Sequence, residues 1–371
     1  MSVPLRAAVV ATVLFSISIC AALGDSITLG AIKDNTLYEE PEGALSDGAG
    51  SRMFAGVTGV DFKRRAVIAF NVAASVPAGA TISSVSLRLN MSRTTAPGER
   101  VVLYRLLANW GQGTSDATSN EGGGAASTPN DATWIHTFYP SSFWTTPGGD
   151  FSTTASASQN VVGTGPYTWG PAAQMTADVQ DWLNNSATNF GWIIIGNETE
   201  IHTAKRFDTR EALTVANRPS LTINYSLAIA PIVNPIPSGS TACGSPFSSS
   251  APTLAQGTQP ITWSLMNGPG GMTINPGDGA VSWPNPLAAV TPYTVTVRAT
   301  NTAGNDTESW LLTVLPGDFN GDGIRDDADV SDFADHLLGI LNVRPCAADV
   351  NLDGFMDGLD IAAWVGSALG G

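Results

Sequence analysis

The sequence predicts a mainly all-β fold that ends in a small α-helical segment. Short runs rich in Val, Ile, Thr, Leu and Phe recur from residue 25 to residue 315, and clusters of Gly, Ser, Pro and Asn separate them. Such runs and breaks are typical of β-strands and turns. The length of 371 residues indicates two or three domains. The 39 glycines and 23 prolines make the chain turn-rich, yet below the proportion that marks low-complexity disorder.

The net charge is strongly negative and unevenly distributed. Asp and Glu number 32 against 17 Lys and Arg, which gives a formal charge of −15 at pH 7. No basic stripe is present, which argues against binding to nucleic acid or to anionic membrane surfaces. Residues 316–371 contain 11 aspartates against Arg325 and Arg344, so more than half of the net charge lies in this last segment.

Residues 1–24 have the features of a secretory signal peptide. Arg6 supplies a positive charge, residues 7–20 form an uncharged apolar run, and Ala22-Leu23-Gly24 offers a small-x-small cleavage site. The apolar run is shorter than the roughly 20 residues that a transmembrane helix needs. We therefore expect a secreted, extracellular protein without a membrane span, and leave association with the cell surface open.

Two cysteines, Cys243 and Cys346, remain once this segment is removed. They fall in different predicted domains. Two buried thiols are therefore favoured over one interdomain disulfide, which stays the alternative.

Residues 25–225 are predicted to form a jelly-roll-type antiparallel β-sandwich. Several runs alternate apolar and polar side chains, which suits strands that are buried on one face. The clearest strands are Ala66–Val72, Thr81–Leu89, Val101–Leu107, Trp192–Ile195 and Leu221–Tyr225. One helix is expected at Met175–Leu183, where Val179, Trp182 and Leu183 recur at helical spacing.

A second β-patterned block follows a short connection. Residues 226–240 are uncharged and interrupted by prolines, which indicates a linker or a domain-entry strand. Residues 241–315 contain four strong strands, at 260–265, 280–283, 293–299 and 310–314. Their size and spacing predict an immunoglobulin-like β-sandwich, although no Cys…Trp…Cys pattern of the antibody type is present.

Residues 316–371 contain an internal duplication with a spacing of 31 residues. Each copy reads D-x-N-x-D-G-x-x-D-x-x-D and matches positions 1, 3, 5, 9 and 12 of an EF-hand-type calcium loop. Position 6 is the glycine that the sharp turn requires. At position 7, Ile324 and Phe355 would ligate through their carbonyl oxygens while their side chains face the core. The predicted ligands of two Ca²⁺ ions are Asp318, Asn320, Asp322, Ile324, Asp326, Asp329, Asp349, Asn351, Asp353, Phe355, Asp357 and Asp360.

Apolar residues at helical spacing follow each loop, at 330–338 and 361–365, so each copy is predicted to be a half-EF-hand of one loop and one helix. The alternative, a solvated acidic run, accounts less well for two aligned loops that each have a glycine and a helix. Position 12 is Asp in place of the usual Glu, and this shorter carboxylate reaches less far. We expect Ca²⁺ to be structural, because it cancels carboxylate repulsion and couples binding to folding.

The paired loops and helices from Gly317 to about Leu369 resemble a dockerin type I module. Dockerins bind cohesin modules, so the resemblance implies a cohesin-type scaffold or surface protein as a partner. Dockerins often carry a Ser/Thr pair at loop positions 10 and 11, where this chain has Asp327-Ala328 and Gly358-Leu359. The resemblance therefore does not identify which residues of this chain would contact the cohesin.

Several short motifs follow one another through residues 25–225. They include Asp34-Asn35-Thr36-Leu37-Tyr38-Glu39, Trp110-Gly111-Gln112-Gly113, Val179-Gln180-Asp181-Trp182 and Lys205-Arg206-Phe207-Asp208-Thr209-Arg210-Glu211. In this order they resemble a DNRLRE-type domain, a secreted β-sandwich grouped with the carbohydrate-binding modules. The naming hexapeptide itself is absent, so the resemblance does not identify the glycan.

The immunoglobulin-like block carries motifs of its own. They are Pro260-Ile261-Thr262-Trp263, Gly279-Ala280-Val281-Ser282-Trp283 and Ala299-Thr300-Asn301-Thr302-Ala303-Gly304. These are similar to a bacterial putative immunoglobulin domain, and the resemblance implies a spacer.

No motif predicts a catalytic centre. His136, His202 and His336 have no metal-binding spacing, and no G-x-S-x-G elbow, P-loop or catalytic Cys context is present. A glycosidase needs two carboxylates on facing elements, and the sequence leaves open whether such a pair exists. The candidates are Glu39, Glu40, Asp61, Glu198, Glu200, Asp208 and Glu211. For the last two, ion pairs with neighbouring basic residues are the favoured interpretation.

The same basic residues are the best candidates for a contact with polysaccharide. Lys205, Arg206 and Arg210 could hold uronate or sulfate groups through charge-assisted hydrogen bonds. Trp134 and Trp144 lie among Gly, Ser and Pro residues, and we predict that they are exposed platforms for sugar rings. Most other tryptophans are expected in the core.

Together these features predict a secreted, non-catalytic modular protein. Its first domain would bind polysaccharide, its second would act as a spacer, and its last would dock to a partner in a calcium-dependent way. A purely structural surface or matrix component without glycan binding is the alternative. A polysaccharide-degrading enzyme is a third hypothesis.

Overall fold

The computed structural model describes residues 24–320, 324–340, 345–355 and 357–368. The predicted signal segment lies outside these residues, apart from Gly24. The described chain forms two compact units, of which the first ends at Leu227 and the second begins at Ala228. No helix among the described residues is long and apolar enough to cross a membrane.

The first unit consists of short β-strands and one α-helix. Its strands are β1 (Asp25–Gly30), β2 (Lys33–Tyr38), β3 (Leu45–Ser46), β4 (Arg52–Val57), β5 (Lys63–Ala69), β6 (Thr81–Thr94), β7 (Glu99–Leu106), β8 (Ala125–Ala126), β9 (His136–Phe138), β10 (Ser142–Phe143), β11 (Phe151–Val161), β12 (Gly165–Trp169), β13 (Trp192–Ile195), β14 (Lys205–Asp208) and β15 (Ser220–Ser226). The helix α1 spans Ala173–Asn184, and single 3₁₀ turns lie at Ser186–Thr188 and Val215–Asn217.

Eleven of these strands form one curled antiparallel sheet. Its order is β1-β15-β6-β14-β4-β5-β13-β7-β11, with β12 also paired to β6 and β2 to β5. The two halves of the sheet face each other like the layers of a sandwich, because residues of β6 and β15 share one core with residues of β5 and β7. The predicted β-sandwich class is confirmed.

The main core fills the space between the two halves. Leu87 and Ile223 from one half pack in the same cluster as Ile68 and Leu103 from the other, and all four are fully buried or nearly so. Each such side chain contributes about 1.5–3 kcal/mol relative to exposure. Helix α1 adds a face with Trp182, which lies 4.6 Å from the ring of Trp192. The helix therefore closes the core at the predicted position.

Long loops between residues 107 and 150 cover the outer side of strands β2, β5 and β13. There a second apolar cluster joins Val67 and Ile193 to Trp110, Trp134 and Trp144. Strand β13 is consequently buried on both faces. This burial explains why its sequence, Trp-Ile-Ile-Ile, is apolar without alternation.

The second unit begins with an immunoglobulin-like sandwich. Its strands are β16 (Ile232–Val233), β17 (Gly239–Ala242), β18 (Phe247–Ser248), β19 (Leu254–Gln256), β20 (Thr262–Asn267), β21 (Thr273–Ile274), β22 (Val281–Trp283), β23 (Tyr293–Asn301) and β24 (Gly304–Leu315). A four-stranded sheet, β17-β24-β23-β20, and a three-stranded sheet, β18-β22-β21, pack around Trp263, Trp283 and Trp310. Strand β16 pairs with β19, and Val233 enters the same core. The residues predicted as a linker thus supply a strand of this sandwich.

The remaining described residues form a small helical segment. Its elements are a 3₁₀ turn (Asp327–Asp329) and the helices α2 (Val330–Leu337), α3 (Pro345–Ala348) and α4 (Gly358–Ala368). Phe333 of α2 and Trp364 of α4 pack with Val350 in a core of their own, with Phe319 stacked at 4.9 Å on the ring of Phe333. Both helices that were predicted to follow the loops are present.

Cys243 and Cys346 form a disulfide across 103 residues of sequence, with their Cα atoms 5.7 Å apart. The preference for two free thiols was therefore wrong. Cys243 follows β17 and is fully buried, and Cys346 in α3 packs against the core of the immunoglobulin-like sandwich. The segment from Gly317 onward thus folds in one unit with this sandwich, which brings the two sulfur atoms together.

Candidate functional site

Strand β14 carries two of the predicted polysaccharide contacts, but they point to opposite sides of the sheet. Lys205 is fully buried on the side of Phe207. Its Nζ donates to Thr94 Oγ1 at 2.9 Å and to the carbonyl oxygens of Ala96 and Pro97 at 3.3 and 2.6 Å. Burial lowers the pKa of Lys205. Lys205 therefore anchors the turn after β6, and its prediction as a surface contact was wrong.

Arg206 points outward, because successive side chains of a strand alternate between the two faces. The strand register places Arg206 opposite Arg93 of β6 and places Asp208 opposite Arg52 of β4. Three arginines from three neighbouring strands thus share the solvent side of the sheet. We refer to Arg52, Arg93 and Arg206 as the arginine face. Burial, followed by the charges of Arg52 and Arg93, lowers the pKa of Arg206.

The arginine face contains few compensating charges. Arg52 Nε lies 3.3 Å from Asp208 Oδ1. Arg206 Nε donates to Ser92 Oγ at 3.1 Å, and Arg93 Nη1 donates to Asn120 Oδ1 at 2.7 Å. Both of these acceptors are neutral, and in the described part of the chain neither Arg93 nor Arg206 forms an ion pair.

Arg210, the third predicted basic contact, belongs to a different network in the turn after β14. Its Nη1 donates to Glu211 Oε1 at 2.8 Å and to Gln112 Oε1 at 3.1 Å, and its backbone N–H donates to Asp34 Oδ2 at 2.9 Å. Burial and the nearby Glu211 raise the pKa of Asp34 well above its usual range. The predicted ion pair of Glu211 is confirmed, whereas Asp208 pairs with Arg52.

The prediction of exposed tryptophan platforms was wrong. Trp134 and Trp144 are only 8% and 5% exposed. The guanidinium of Arg65 lies 5.0 Å from the centre of the Trp134 ring, and Trp144 Nε1 donates to the carbonyl oxygen of Thr133 at 2.9 Å. The Gly- and Pro-rich segments around both rings are loops packed onto the sheet, so they bury the indoles.

An open cleft lies beside these loops, and sequence reasoning did not locate it. Its volume is ≈ 580 Å³. The cleft is lined by Glu39, Glu40, Pro41, Asp61, Phe62, Lys63, Trp134, Ile135 and Pro147. Phe62 is 45% exposed and is the accessible aromatic ring of this surface, whereas Trp134 is nearly covered. We refer to this surface as the Phe62 cleft.

Most polar groups of the Phe62 cleft are held by the protein itself. Glu39 Oε1 accepts from Lys63 Nζ at 2.9 Å, and Glu39 Oε2 accepts from the Lys63 backbone N–H at 2.7 Å. Burial acts to raise the pKa of Glu39, but these bonds from Lys63 bring it below its usual range. Glu40 accepts hydrogen bonds from the backbone N–H groups of Glu42 and Ala44. Asp61 is exposed and has a left-handed backbone with φ 62°.

The remaining glycosidase candidates do not face one another in an open site. Glu198 accepts from Arg65 Nε at 2.7 Å and from Arg65 Nη2 at 2.8 Å. Asp208 and Glu211 form the ion pairs described above, and Glu200 lies in an exposed turn. Glu198, Asp208 and Glu211 are therefore members of structural ion pairs.

Two neighbouring carboxyl groups, those of buried Asp47 and half-buried Glu121, were not predicted from the sequence. Asp47 Oδ1 accepts from the Ala117 backbone N–H at 2.8 Å, and Glu121 Oε1 accepts from Ser51 Oγ at 2.8 Å. The other oxygen of each group is buried without a hydrogen-bond donor in the described structure. Burial raises the pKa of Asp47 to about 8, and the neighbouring Glu121 adds to the shift. A proton shared by the pair would satisfy both oxygens.

The second predicted calcium loop, residues 349–360, is described except for residue 356. Asp349 accepts from the backbone N–H groups of Asp353 and Gly354 at 3.0 and 2.9 Å. Gly354 has φ 88°, the left-handed turn that was predicted for position 6. Phe355 is 71% exposed, so the expectation that its side chain faces the core was wrong. Phe333, Val350 and Trp364 fill that core.

The first predicted loop is described in part, because Asp322 and Gly323 lie outside the described residues. Asp318 and Asp329 are fully buried, and Ile324 is 58% exposed, again contrary to the expected inward orientation. Within the described ranges, no group of three or more His, Cys, Asp or Glu side chains is placed to hold a metal ion. The donor set of both loops nevertheless has the right chemistry, since carboxylate, amide and carbonyl oxygens are the ligands that Ca²⁺ prefers.

The immunoglobulin-like sandwich has a smaller cavity of ≈ 250 Å³. Pro235, Pro237, Phe247 and Trp310 are among its lining residues, and none of the lining residues is charged. The Phe62 cleft differs from it in having four charged side chains in its lining.

Comparisons with known proteins identify one part of the chain. Residues 230–315 match the family model described as Putative Ig domain, in agreement with the fold of the second unit. A search of curated proteins finds no match. The fold and this match together define residues 230–315 as an immunoglobulin-like domain.

Similar solved structures cover limited parts of the chain. A putative α-galactosidase/melibiase from Bacteroides fragilis NCTC 9343 is 26% identical over 23% of this chain and 17% of its own, with a TM-score of 0.20. Titin domain M7 is 14% identical over 24% of this chain and 96% of its own, with a TM-score of 0.20. A SusE-like surface located polysaccharide binding protein from Bacteroides thetaiotaomicron is 16% identical over 30% of this chain and 21% of its own, with a TM-score of 0.19. The chain thus spans about a sixth of the length of the galactosidase.

Proposed function

We propose that this protein is an extracellular, non-catalytic polysaccharide-binding protein whose first unit holds the glycan in the Phe62 cleft. The observation that carries the proposal is the combination of an exposed aromatic ring, Phe62, with Asp61 and Lys63 in one open cleft. An aromatic ring stacks on the apolar face of a sugar, while charged and polar groups bond to its hydroxyls. Pro41 and Pro147 add rigid apolar walls.

A binding role is favoured over catalysis by the state of the cleft carboxylates. A glycosidase needs two carboxyl groups that are free to act on opposite sides of the scissile bond. Glu39 is bound by Lys63, and Glu40 is bound by backbone N–H groups. Among the lining residues, Asp61 is then the carboxylate that can contact a ligand.

The helical segment of the second unit is proposed to bind two Ca²⁺ ions and to dock to a cohesin-type scaffold or surface protein. The residues that would hold the ions are those predicted from the loops, from Asp318 to Asp329 and from Asp349 to Asp360. Bound Ca²⁺ would supply positive charge against the clustered aspartates. The Cys243–Cys346 disulfide supports an extracellular location, because such bonds persist in oxidising compartments.

Affinity electrophoresis of the full chain through gels with neutral, uronate-containing or sulfated polysaccharides tests the binding role. We expect retardation by at least one polysaccharide and, in the gels with neutral polysaccharides, a weaker retardation of Phe62→Ala than of the wild type. Phe143→Ala is the matched control, since Phe143 is 61% exposed and does not line the cleft. Retardation by none of the polysaccharides would favour the purely structural alternative, and release of reducing sugar would favour an enzyme.

A further inference from the structure

The arginine face concentrates positive charge on a protein whose formal charge is −15. Arg206 lies at its centre, opposite Arg93 on one side and diagonal to Arg52 on the other. Like charges on neighbouring strands repel one another, which destabilises the sheet unless something compensates. Asp208 is the one acidic residue in strands β4, β6 and β14, and Glu121 from the loop after β7 is the other acidic residue whose charge acts on Arg206.

The hydrogen bonds within the arginine face show which guanidinium N–H groups are available to a ligand. A guanidinium has five N–H donors. In the described structure, the side chain of Arg206 uses its Nε for Ser92, and that of Arg93 uses one Nη1 for Asn120. The Nη groups of Arg206 have no protein acceptor there. Arg93 is exposed and Arg206 is half-buried, so a ligand in solvent can reach both.

Local structure holds these two side chains in place. The pairing of β14 with β6 shifts register between Arg206 and Phe207, so that Ser92 and Arg93 both lie beside Arg206. Such a bulge redirects a side chain without breaking the sheet. Ser92 fixes the Nε of Arg206, and Asn120 from the loop after β7 fixes Arg93. The two guanidinium groups are thereby preorganised, which reduces the entropy lost when a ligand binds.

We propose that the arginine face is a second ligand site, separate from the Phe62 cleft, that binds the carboxylate or sulfate groups of an acidic polysaccharide. The planar fork of a guanidinium matches either group with two parallel hydrogen bonds. Nucleic acid fits less well, because it needs an extended basic surface, whereas Asp208 and Glu121 flank these three arginines. The two sites share no lining residue.

Affinity electrophoresis of the full chain through polygalacturonate, dextran sulfate and neutral dextran tests this site. Chelator is present throughout, so that bound Ca²⁺ cannot bridge to the polyanion. We expect at least one polyanion to retard the wild type, and the double variant Arg93→Ala/Arg206→Ala to bind about ten- to a hundredfold more weakly, since each lost charge-assisted bond weakens binding substantially. Retardation by polygalacturonate would identify a carboxylate as the bound group, and retardation by dextran sulfate would identify a sulfate.

The matched control is the double variant Arg88→Ala/Arg100→Ala, which removes the same charge from the same domain. Arg88 donates to the Ala216 carbonyl oxygen and Arg100 to Ser158 Oγ, and neither belongs to the arginine face. We expect this control and Phe62→Ala to keep wild-type retardation by the polyanion. An equal loss in the control, equal retardation by DNA, or no retardation by either polyanion would overturn the proposal. The effect of Phe62→Ala on binding of a neutral glycan tests the Phe62 cleft alone. The hypothesis of the cleft and the hypothesis of the arginine face can therefore be refuted independently.

The single variant Arg206→Lys separates geometry from charge. A lysine keeps the positive charge but cannot form two parallel hydrogen bonds. We expect it to bind the polyanion several-fold more weakly than the wild type, and full wild-type affinity would contradict recognition by the guanidinium fork. Because Arg206 points to solvent, thermal unfolding of the first unit should be the same for both proteins.

Discussion

Asp329 and Asp360, 31 residues apart, make the same three hydrogen bonds. Asp329 Oδ1 accepts from the backbone N–H groups of Phe319 and Asn320, and Asp360 Oδ1 accepts from those of Val350 and Asn351. The Oδ2 atoms accept from the N–H groups of Asp326 and Asp357 at 3.0 and 2.8 Å. The sequence duplication is therefore a duplication of structure, in which a buried carboxylate ties the end of each loop to its beginning.

Asp360→Ala should loosen the second loop. It removes the acceptor of three backbone N–H groups, and each unsatisfied group costs roughly 1–3 kcal/mol when buried. Native-state hydrogen exchange should show faster exchange at Val350 and Asn351 in this variant. Asp327→Ala, at an exposed position of the first loop, is the control and should leave these amides unchanged. Equal protection in Asp360→Ala and the wild type would show that the carboxylate does not hold the loop.

Calcium should stabilise the second unit. Chelator is expected to lower the temperature at which this unit unfolds in calorimetry of the full chain, and added Ca²⁺ should restore it. Titration calorimetry should give two ions per chain for the wild type and one for Asp353→Ala, which removes a ligand of the second loop. An unfolding temperature that is insensitive to both chelator and Ca²⁺ would refute the assignment of the paired loops.

The Cys243–Cys346 disulfide should contribute substantially to the stability of the second unit. In the loop-entropy model, closing a loop of about 100 residues stabilises a fold by about 4.7 kcal/mol. Cys243→Ser/Cys346→Ser should therefore unfold at a lower denaturant concentration, and reduction of the wild type should have the same effect. A thiol reagent should label neither cysteine in the unfolded, unreduced protein. Labelling of both would contradict the disulfide.

The stability of the first unit should fall between pH 4 and pH 8. The pKa of Asp47 is about 8 in the folded protein and 3.8 in its unperturbed state, so the folded state binds more protons across this interval. The contribution of Asp47 to stability then decreases with rising pH, by about 1.4 kcal/mol per pH unit at most, and levels off above pH 8. Asp47→Asn, whose amide can donate to Glu121, should flatten this slope in denaturant unfolding with chelator present. Exposed Asp61→Asn should keep the slope, and a wild-type slope in Asp47→Asn would refute the assignment to Asp47.

Periodicity predicted most of the fold because it reports burial directly. Residues 81–89 alternate and form part of β6, while residues 175–183 repeat at helical spacing and form the middle of α1. Residues 226–240 were predicted as a linker or a domain-entry strand, and the structure has the strand Ile232–Val233 there. The sequence did not give its bounds, because two residues among prolines are too short to show a period.

The candidate sites were harder to predict, because they depend on contacts between distant segments. Trp134 and Trp144 were expected on the surface from their Gly- and Pro-rich neighbours, but those loops cover a strand that is apolar on both faces. The uninterrupted apolar run Trp192–Ile195 was the signal for this second covered face. Arg52 and Arg93 join Arg206 only through strand register, which no local pattern encodes.

Binding in the Phe62 cleft can be measured by titrating the full chain with an oligosaccharide, taken from the neutral polysaccharide that retards the protein most. We expect Phe62→Ala to lower the affinity about tenfold, because one stacking aromatic ring is lost, and Phe143→Ala to leave it unchanged. Equal affinities of the wild type and Phe62→Ala would contradict binding in the Phe62 cleft.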